Sequence, residues 1–233
     1  MRDRAAVGAT AMIAVAGVVA FGTSACGGDG DSTTSETVTA TTEASPTTGA
    51  TTAGTFEDPG TIVLRLSDLP PGWMELDAGE GFGDDEVCGF RIADDLVATA
   101  ETNFQDGAGT EGVGSESGVA AGPGDAESLF EVVESTLDAC TEWETPGGAG
   151  AMTWQVEPAD AEPLGDQSIA VQLQTGTGAD DFRAVAVYVR VKEYISGVAD
   201  TRSVPDAGTV EEQIADTERL ARIVVDRMGE PAG

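Results

Sequence analysis

The chain has 233 residues, of which 42 are Asp or Glu and 11 are Lys or Arg, so its net charge at pH 7 is −31. A surface this acidic repels nucleic acid, because binding there depends on cationic groups that displace counterions. The chain also has no His, which removes the usual base of a Ser or Cys nucleophile and a common zinc ligand. We therefore expect no nucleic-acid partner, no cofactor and no enzymatic activity.

The first twenty-six residues have the pattern of an export signal. Two Arg residues precede an apolar run from Ala5 to Phe21, which ends in Thr23-Ser24-Ala25-Cys26. A Cys directly after Ser-Ala resembles the lipobox of bacterial lipoproteins, although Thr23 stands where Leu or Val is usual. The resemblance implies a signal peptide over 1–25, acylation (palmitate) of Cys26 and a lipid anchor on the outer face of the cytoplasmic membrane. The alternatives are a plain secretory signal that leaves Cys26 free and an uncleaved anchor helix.

Residues 26–55 are predicted to be a disordered spacer. After Cys26 the segment consists mainly of Thr, Ser, Gly and Ala, with no aromatic residue, Leu, Ile or Met. Such a segment cannot offset its conformational entropy by burying apolar surface. Thr/Ser-rich stalks are often O-glycosylated, and we hold this as a hypothesis here. The folded domain is predicted over 56–233.

The first part of this domain alternates strand patterns with loops. Ile62, Leu64 and Leu66 alternate over 61–66, and a second strand is predicted over 97–104. The Gly-, Glu- and Ser-rich stretch 106–118 is predicted to be a long loop. Its residues 107–112 match a GxGxxG pattern, but no helix follows and Glu111 stands where phosphate would lie. We therefore reject a nucleotide site.

Two segments have helical periodicity. The first runs from Asp125 to about Cys140. The second runs from Val210 to Met228, where Thr209 and Glu212 form a capping box. The residues expected on the buried faces are Leu129, Val132, Val133, Thr136, Leu137 and Cys140 in the first helix, and Val210, Ile214, Leu220, Ala221, Val224 and Met228 in the second.

The remaining apolar runs predict strands over 152–156, 169–173 and 182–191, and a return strand over 194–198. The strands follow one another largely without helices between them. This order predicts an α+β domain with a mainly antiparallel sheet of about five to six strands, packed with two helices.

Cys88 and Cys140 are the two cysteines that the predicted anchor leaves over. In an oxidising compartment an even pair is most simply a disulfide. It would close a loop of about fifty residues and constrain the unfolded chain. The alternative is two buried free thiols.

The order of elements and several short motifs resemble the PknH-like extracellular sensor domain family of mycobacterial and related actinobacterial proteins. The similarity spans Thr61 to Met228 and rests on Leu66-Ser67-Asp68-Leu69-Pro70-Pro71-Gly72-Trp73, on Cys88, on Leu137-Asp138-Ala139-Cys140-Thr141-Glu142-Trp143, and on Leu164-Gly165-Asp166-Gln167-Ser168. The resemblance implies an α+β domain, held by disulfides, with a cleft for an unidentified ligand. The chain departs from the kinase relative in having one cysteine pair where that relative has two disulfides, and in having no kinase domain.

The favoured function is an extracytoplasmic binding or sensor-like domain for a small molecule, a glycan or a protein. Aromatic side chains carry binding energy where they line a pocket, so the candidate ligand-binding residues are Trp73, Trp143, Trp154, Tyr188 and Tyr194. The alternative for each is a place in the core. The other functions considered are an envelope lipid carrier and, with less support, a hydrolase that uses paired carboxylates.

Two acidic clusters have the oxygen ligands that calcium prefers. These are Asp84-Asp85-Glu86 and Asp180-Asp181. Neither has the ligand spacing of an EF-hand loop, so no metal site is predicted.

Overall fold

The computed structural model describes residues 58–77, 88, 96–144, 152–176 and 181–229. The predicted signal peptide, Cys26 and the spacer lie outside the described residues, as do the Asp84–Glu86 cluster and Asp180. Within the described ranges, no helix is long and apolar enough to cross a membrane. The same ranges contain no group of three or more Cys, Asp or Glu side chains that could hold a metal ion.

The described residues form one antiparallel sheet of eight strands in the order β1-β2-β3-β8-β7-β6-β5-β4. The strands are Met74–Glu75 (β1), Ala98–Gln105 (β2), Glu111–Val119 (β3), Glu142–Glu144 (β4), Thr153–Pro158 (β5), Gln167–Gln174 (β6), Phe182–Val191 (β7) and Tyr194–Ser203 (β8). Consecutive strands pair within β1–β3 and within β4–β8. The pairing of β3 with β8 joins these two runs into one sheet.

In the described ranges two α-helices accompany the sheet, Pro123–Ala139 (α1) and Val210–Gly229 (α2). The capping box predicted for α2 is confirmed. The Glu212 N–H donates to Thr209 Oγ1 at 3.1 Å, and the Thr209 N–H donates to the Glu212 carboxylate at 2.9 Å. These reciprocal bonds satisfy two donors that would otherwise be unpaired at the start of the helix.

The core has two parts, one on each face of the sheet. Neighbouring side chains along a strand point to opposite faces, and β7 is buried on both. Its residues Val185, Val187 and Val189 pack in one cluster with Leu220 and Val224 of α2. We call this side the α2 face. The other cluster, on the α1 face, contains Ala184, Ala186 and Tyr188 of β7 together with Leu129, Phe130 and Val133 of α1.

The predicted count of five to six strands and two helices is wrong. The sheet has eight strands, and three short 3-10 helices accompany the two α-helices in the described residues: Pro59–Thr61, Leu66–Asp68 and Val204–Asp206. The main error is β3, which was predicted to be part of a loop. Its buried Ser residues are satisfied within the sheet, since Ser115 Oγ accepts from the Leu64 N–H at 3.3 Å and Ser117 Oγ lies 2.8 Å from Ser196 Oγ.

The strand predicted over 61–66 is also wrong. Local hydrogen bonds hold this segment in turns, because the Asp58 carboxylate accepts from the Gly60 N–H at 3.0 Å and the Asp68 carboxylate accepts from the Arg65 N–H at 2.7 Å. Asp side chains compete in this way with ladder bonds. Ile62 and Leu64 are buried, whereas Leu66 is 42% exposed.

The buried faces of the helices differ in part from the predicted stripes. In α1, Val132 is 47% exposed, and Phe130 is buried instead. In α2 the fully buried positions include two polar residues, Gln213 and Thr217. Hydrophobic periodicity cannot identify polar residues whose hydrogen bonds are made to backbone carbonyls inside the core.

The predicted disulfide is present. Cys88 and Cys140 are bonded, with their Cα atoms 6.0 Å apart and a sequence separation of 52 positions. Cys140 directly follows the last residue of α1. The bond therefore ties the segment before β2 to the end of this helix.

Candidate ligand-binding site

The five predicted ligand-binding aromatics do not lie together. Trp143 and Trp154 are directly opposite each other on β4 and β5, and both pack on the α1 face with Tyr188. Trp73 and Tyr194 pack on the α2 face. Trp154, Tyr188 and Tyr194 are buried. Burial, with a smaller contribution from Glu116, raises the pKa of Tyr188 and keeps its hydroxyl neutral. A binding role for these residues stays a prediction.

A different region forms a site, at the point where β5 stops pairing with β6. The last paired residues are Pro158 and Val171, although β6 begins at Gln167. The Ala159 N–H still donates to the Ala170 carbonyl at 2.9 Å. The chain then turns towards α2, where the Glu162 N–H donates to the Glu218 carboxylate at 2.6 Å. The first residues of β6 are thus left without a neighbouring strand on this side, a gap that we call the notch.

The notch holds a partly open cavity of about 210 Å³. One wall is the last turn of α1, with Leu137 and Asp138, and another is formed by Pro158, Ala159 and Ala161. The base is residues 168–171 of β6, with Val187 of β7. Most of the described side chains that line it are apolar, but polar atoms of the backbone, Ser168 and Asp138 share its exposed surface about equally with apolar atoms, so it offers contacts to both the apolar and the polar parts of a ligand. The volume lies below the roughly 300–1,000 Å³ of drug-sized pockets, which indicates a smaller molecule.

Ser168 supplies polar groups at the base of the notch. Its Oγ accepts from the Leu164 N–H at 2.9 Å, and the hydroxyl hydrogen remains able to donate. In an antiparallel strand, alternate residues direct their N–H and C=O groups to the same side. Because the Ala170 carbonyl points to Ala159, the backbone groups of Ser168 also point into the notch. The site therefore offers both a backbone donor and a backbone acceptor.

Asp138 is the one ionisable side chain among the lining residues that the structure describes. It is exposed, and in the described residues no hydrogen bond or ion pair holds its carboxylate. It also lies in the last turn of α1, which contains no basic residue. The C-terminal carbonyls of a helix carry the negative end of its dipole. Asp138 and the helix end therefore make the mouth of the notch attractive to a cation.

A second polar cluster lies on the α2 face and has a structural role. The Arg202 guanidinium lies 2.6 Å from the Asp200 carboxylate, 2.8 Å from Asp216 of α2 and 3.1 Å from Glu111 of β3. Burial raises the pKa of Asp200 to about 6, against the opposing effect of Arg202. The cluster joins α2 to the ends of β3 and β8. Sequence reasoning missed it, although Asp200 and Arg202 stand two residues apart and therefore share a face of β8.

Three buried side-chain atoms in the described residues have no hydrogen-bond partner. They are Asn103 Oδ1, Trp154 Nε1 and Thr201 Oγ1. All three residues belong to the α1 face, but they lie on β2, β5 and β8, which are not adjacent in the sheet. They do not form one site, and the notch is the stronger candidate.

Comparison with known proteins supports the fold. No protein-family model matches the sequence, and no curated protein matches it. Among solved structures, the chain is similar to the extracellular domain of PknH from Mycobacterium tuberculosis, with a TM-score of 0.57 and 10% identity. The similarity covers 74% of this chain and 95% of that one. The fold is thus similar to that of an extracellular domain of a PknH-type protein, which supports the predicted family resemblance at the level of fold.

Proposed function

We propose that this chain is a lipid-anchored extracytoplasmic protein whose domain binds a small molecule in the notch, as a sensor-like module would. The observation that carries the proposal is a partly open cavity of mixed apolar and polar lining, in which Asp138, the one ionisable group among the described lining residues, has no partner within the described part of the chain. The export pattern of the first twenty-six residues and the similarity in fold to an extracellular domain support the location.

The notch has the energetic character of a binding site. Protein interiors are close-packed, and a cavity forfeits dispersion contacts among the groups that line it. An acidic residue in the last turn of a helix also opposes the helix dipole, at a cost of about 0.3–1 kcal/mol. Neither feature stabilises the fold. Unfavourable features of this kind are expected where a protein has a function to perform.

The base of the notch and one of its walls belong to regular elements. Ser168 and Ile169 lie on β6, and Leu137 and Asp138 lie on α1, whose end is fixed by the disulfide at Cys140. Sites on helices and strands hold their groups more precisely than sites on loops. An occupant of the notch would contact α1 and β6 together, so its binding would change the packing between them.

The test is an NMR titration of the ¹⁵N-labelled full chain with 2-phenylethylamine and, separately, with 2-phenylethanol. We expect at least one of them to shift the amides of residues 168–171 saturably. Ala161→Leu, which places a larger side chain against the cavity, should abolish the shift. Ala215→Leu, at an exposed position of α2, is the matched control and should keep it. The proposal fails if neither compound shifts these amides, or if Ala161→Leu folds and binds as the parent does.

A further inference from the structure

We infer that the ligand of the notch is a small primary amine, whose ammonium group binds at Asp138 while its apolar body fills the cavity. This inference rests on the proposed function and adds the chemical class of the ligand to it. It follows from the charges, the hydrogen-bonding groups and the side-chain types that line the notch.

The charges around the notch select a cation. Asp138 is the one charged lining residue and is paired with no basic group in the described residues. The negative end of the α1 dipole adds to its field. An anionic ligand would be repelled by the Asp138 carboxylate and by the helix end, and no basic residue among the described lining residues would offset this repulsion. The net charge of −31 further raises the local concentration of cations.

The hydrogen-bonding groups select a primary amine over a quaternary one. A primary ammonium has three N–H donors and therefore needs acceptors. The notch offers the Asp138 carboxylate, the Ser168 carbonyl and the last carbonyls of α1, several of which have no partner inside the helix. A quaternary ammonium is instead recognised by a cage of aromatic side chains, and none of the described residues that line this cavity is aromatic.

The donor set does not suit a metal ion. Calcium takes six to eight oxygen ligands, usually from several carboxylates, whereas Asp138 is the one carboxylate in the described part of the lining. The rest of the lining is Leu, Ile, Val, Ala and Pro, with one Ser. The apolar side chains give up little hydration when an apolar body covers them, so an organic cation uses this part of the lining where a bare ion would not.

The experiment compares three compounds of one shape that differ in charge. The full chain is titrated with 2-phenylethylamine, 2-phenylethanol and 3-phenylpropionate, and the shifts of the residue 168–171 amides are followed. We expect the amine to bind about tenfold more tightly than the alcohol, and the acid not to bind. Asp138→Asn should raise the Kd of the amine about fivefold and leave that of the alcohol unchanged. Raising the salt concentration should weaken the binding of the amine and leave that of the alcohol unchanged.

Glu131→Gln is the matched control, since it removes one exposed negative charge from α1 away from the cavity lining. It should change the Kd of the amine less than twofold. The inference is overturned, while the proposed site survives, if the alcohol binds as tightly as the amine. The same holds if Asp138→Asn and Glu131→Gln raise the Kd of the amine equally. If none of the compounds shifts the amides, both the inference and the proposed function fail.

Discussion

The guanidinium of Arg202 donates to the carboxylate of Asp200, two residues earlier on the same strand, and the Asp200 side chain is only 1% exposed. Their side chains share the α2 face of β8, where Arg202 also reaches Asp216 of α2. The pair therefore lies in the contact between the sheet and the C-terminal helix, so its ionisation bears on the stability of the domain.

This pair predicts a pH dependence of stability. Burial raises the pKa of Asp200 from 3.8 to about 6. Because the pKa of Asp200 is higher in the folded state than in the unfolded state, the native state takes up a proton first as the pH falls through 6. The contribution of Asp200 to the free energy of unfolding therefore rises as the pH falls from 7 to 4. The slope is about 1 kcal/mol per pH unit near pH 5.

Urea unfolding at pH 7, 6 and 5 measures this contribution. Reduced self-repulsion of the acidic chain acts in the same direction, so the comparison is with Asp200→Asn, which should flatten the rise. Asp226→Asn, at an exposed position of α2, controls for the loss of one charge. Equal slopes in the parent and Asp200→Asn would show that the carboxylate does not titrate as described.

Gln213 is predicted to be essential for the docking of α2. It is fully buried, its Nε2 donates to the Asp200 carbonyl at 2.9 Å, and its Oε1 accepts from Arg183 Nε at 2.7 Å. Gln213→Ala leaves buried groups without partners and should lower the free energy of unfolding by about 2–4 kcal/mol. Gln155→Ala, at an exposed position of β5, should change the free energy of unfolding by less than about 0.5 kcal/mol. Similar urea midpoints for both variants would contradict the importance of the buried amide.

The turn that leads into β6 depends on Gly165. Its φ is +60°, and an added Cβ would lie 2.5 Å from the Arg190 carbonyl oxygen. Gly165→Ala should therefore cost about 1–3 kcal/mol. Gly124→Ala is the matched control, because it lies in the first turn of α1 with nothing within 4 Å of the new Cβ. It should be neutral or slightly stabilising. Thermal unfolding measures the difference in stability between the two variants. A Gly165→Ala variant as stable as the parent would mean that the turn is not constrained in this way.

The lipid anchor makes a separate prediction. If the lipobox resemblance of Thr23-Ser24-Ala25-Cys26 is functional, the mature protein begins at Cys26 and carries covalently attached acyl chains. Intact-mass spectrometry of protein purified from a bacterial host that processes lipoproteins should show this added mass. Cys26→Ala should remove it and release the protein from the membrane fraction. An unmodified Cys26 at the mature terminus would leave only a secretory signal.

The sequence predicted those elements that have a local or strongly periodic sequence signal. The Val residues of β7 alternate regularly, and Thr209 and Glu212 mark the start of α2, so both were found. The central strand β3 was missed because its composition is that of a loop and its polar groups are satisfied by distant residues. Ser117, for example, bonds to Ser196, 79 positions away.

The notch could not be predicted, since it depends on strand register. Pro158 and the unfavourable charge of Asp138 near a helix end were visible as local signals. Nothing in the sequence indicates that Pro158 pairs with Val171, or that the last turn of α1 lies beside Ile169. The aromatic residues were predicted to line a ligand site because aromatic side chains carry binding energy, but the sheet separates them onto two faces.

The most direct test of the central claim is to measure intermolecular NOEs between 2-phenylethylamine and the methyl groups of the full chain. We predict NOEs from the phenyl ring to Leu137, Ile169 and Val171, which line the notch, and their loss in Ala161→Leu. NOEs confined to methyl groups outside the notch, with none to these three residues, would contradict the account.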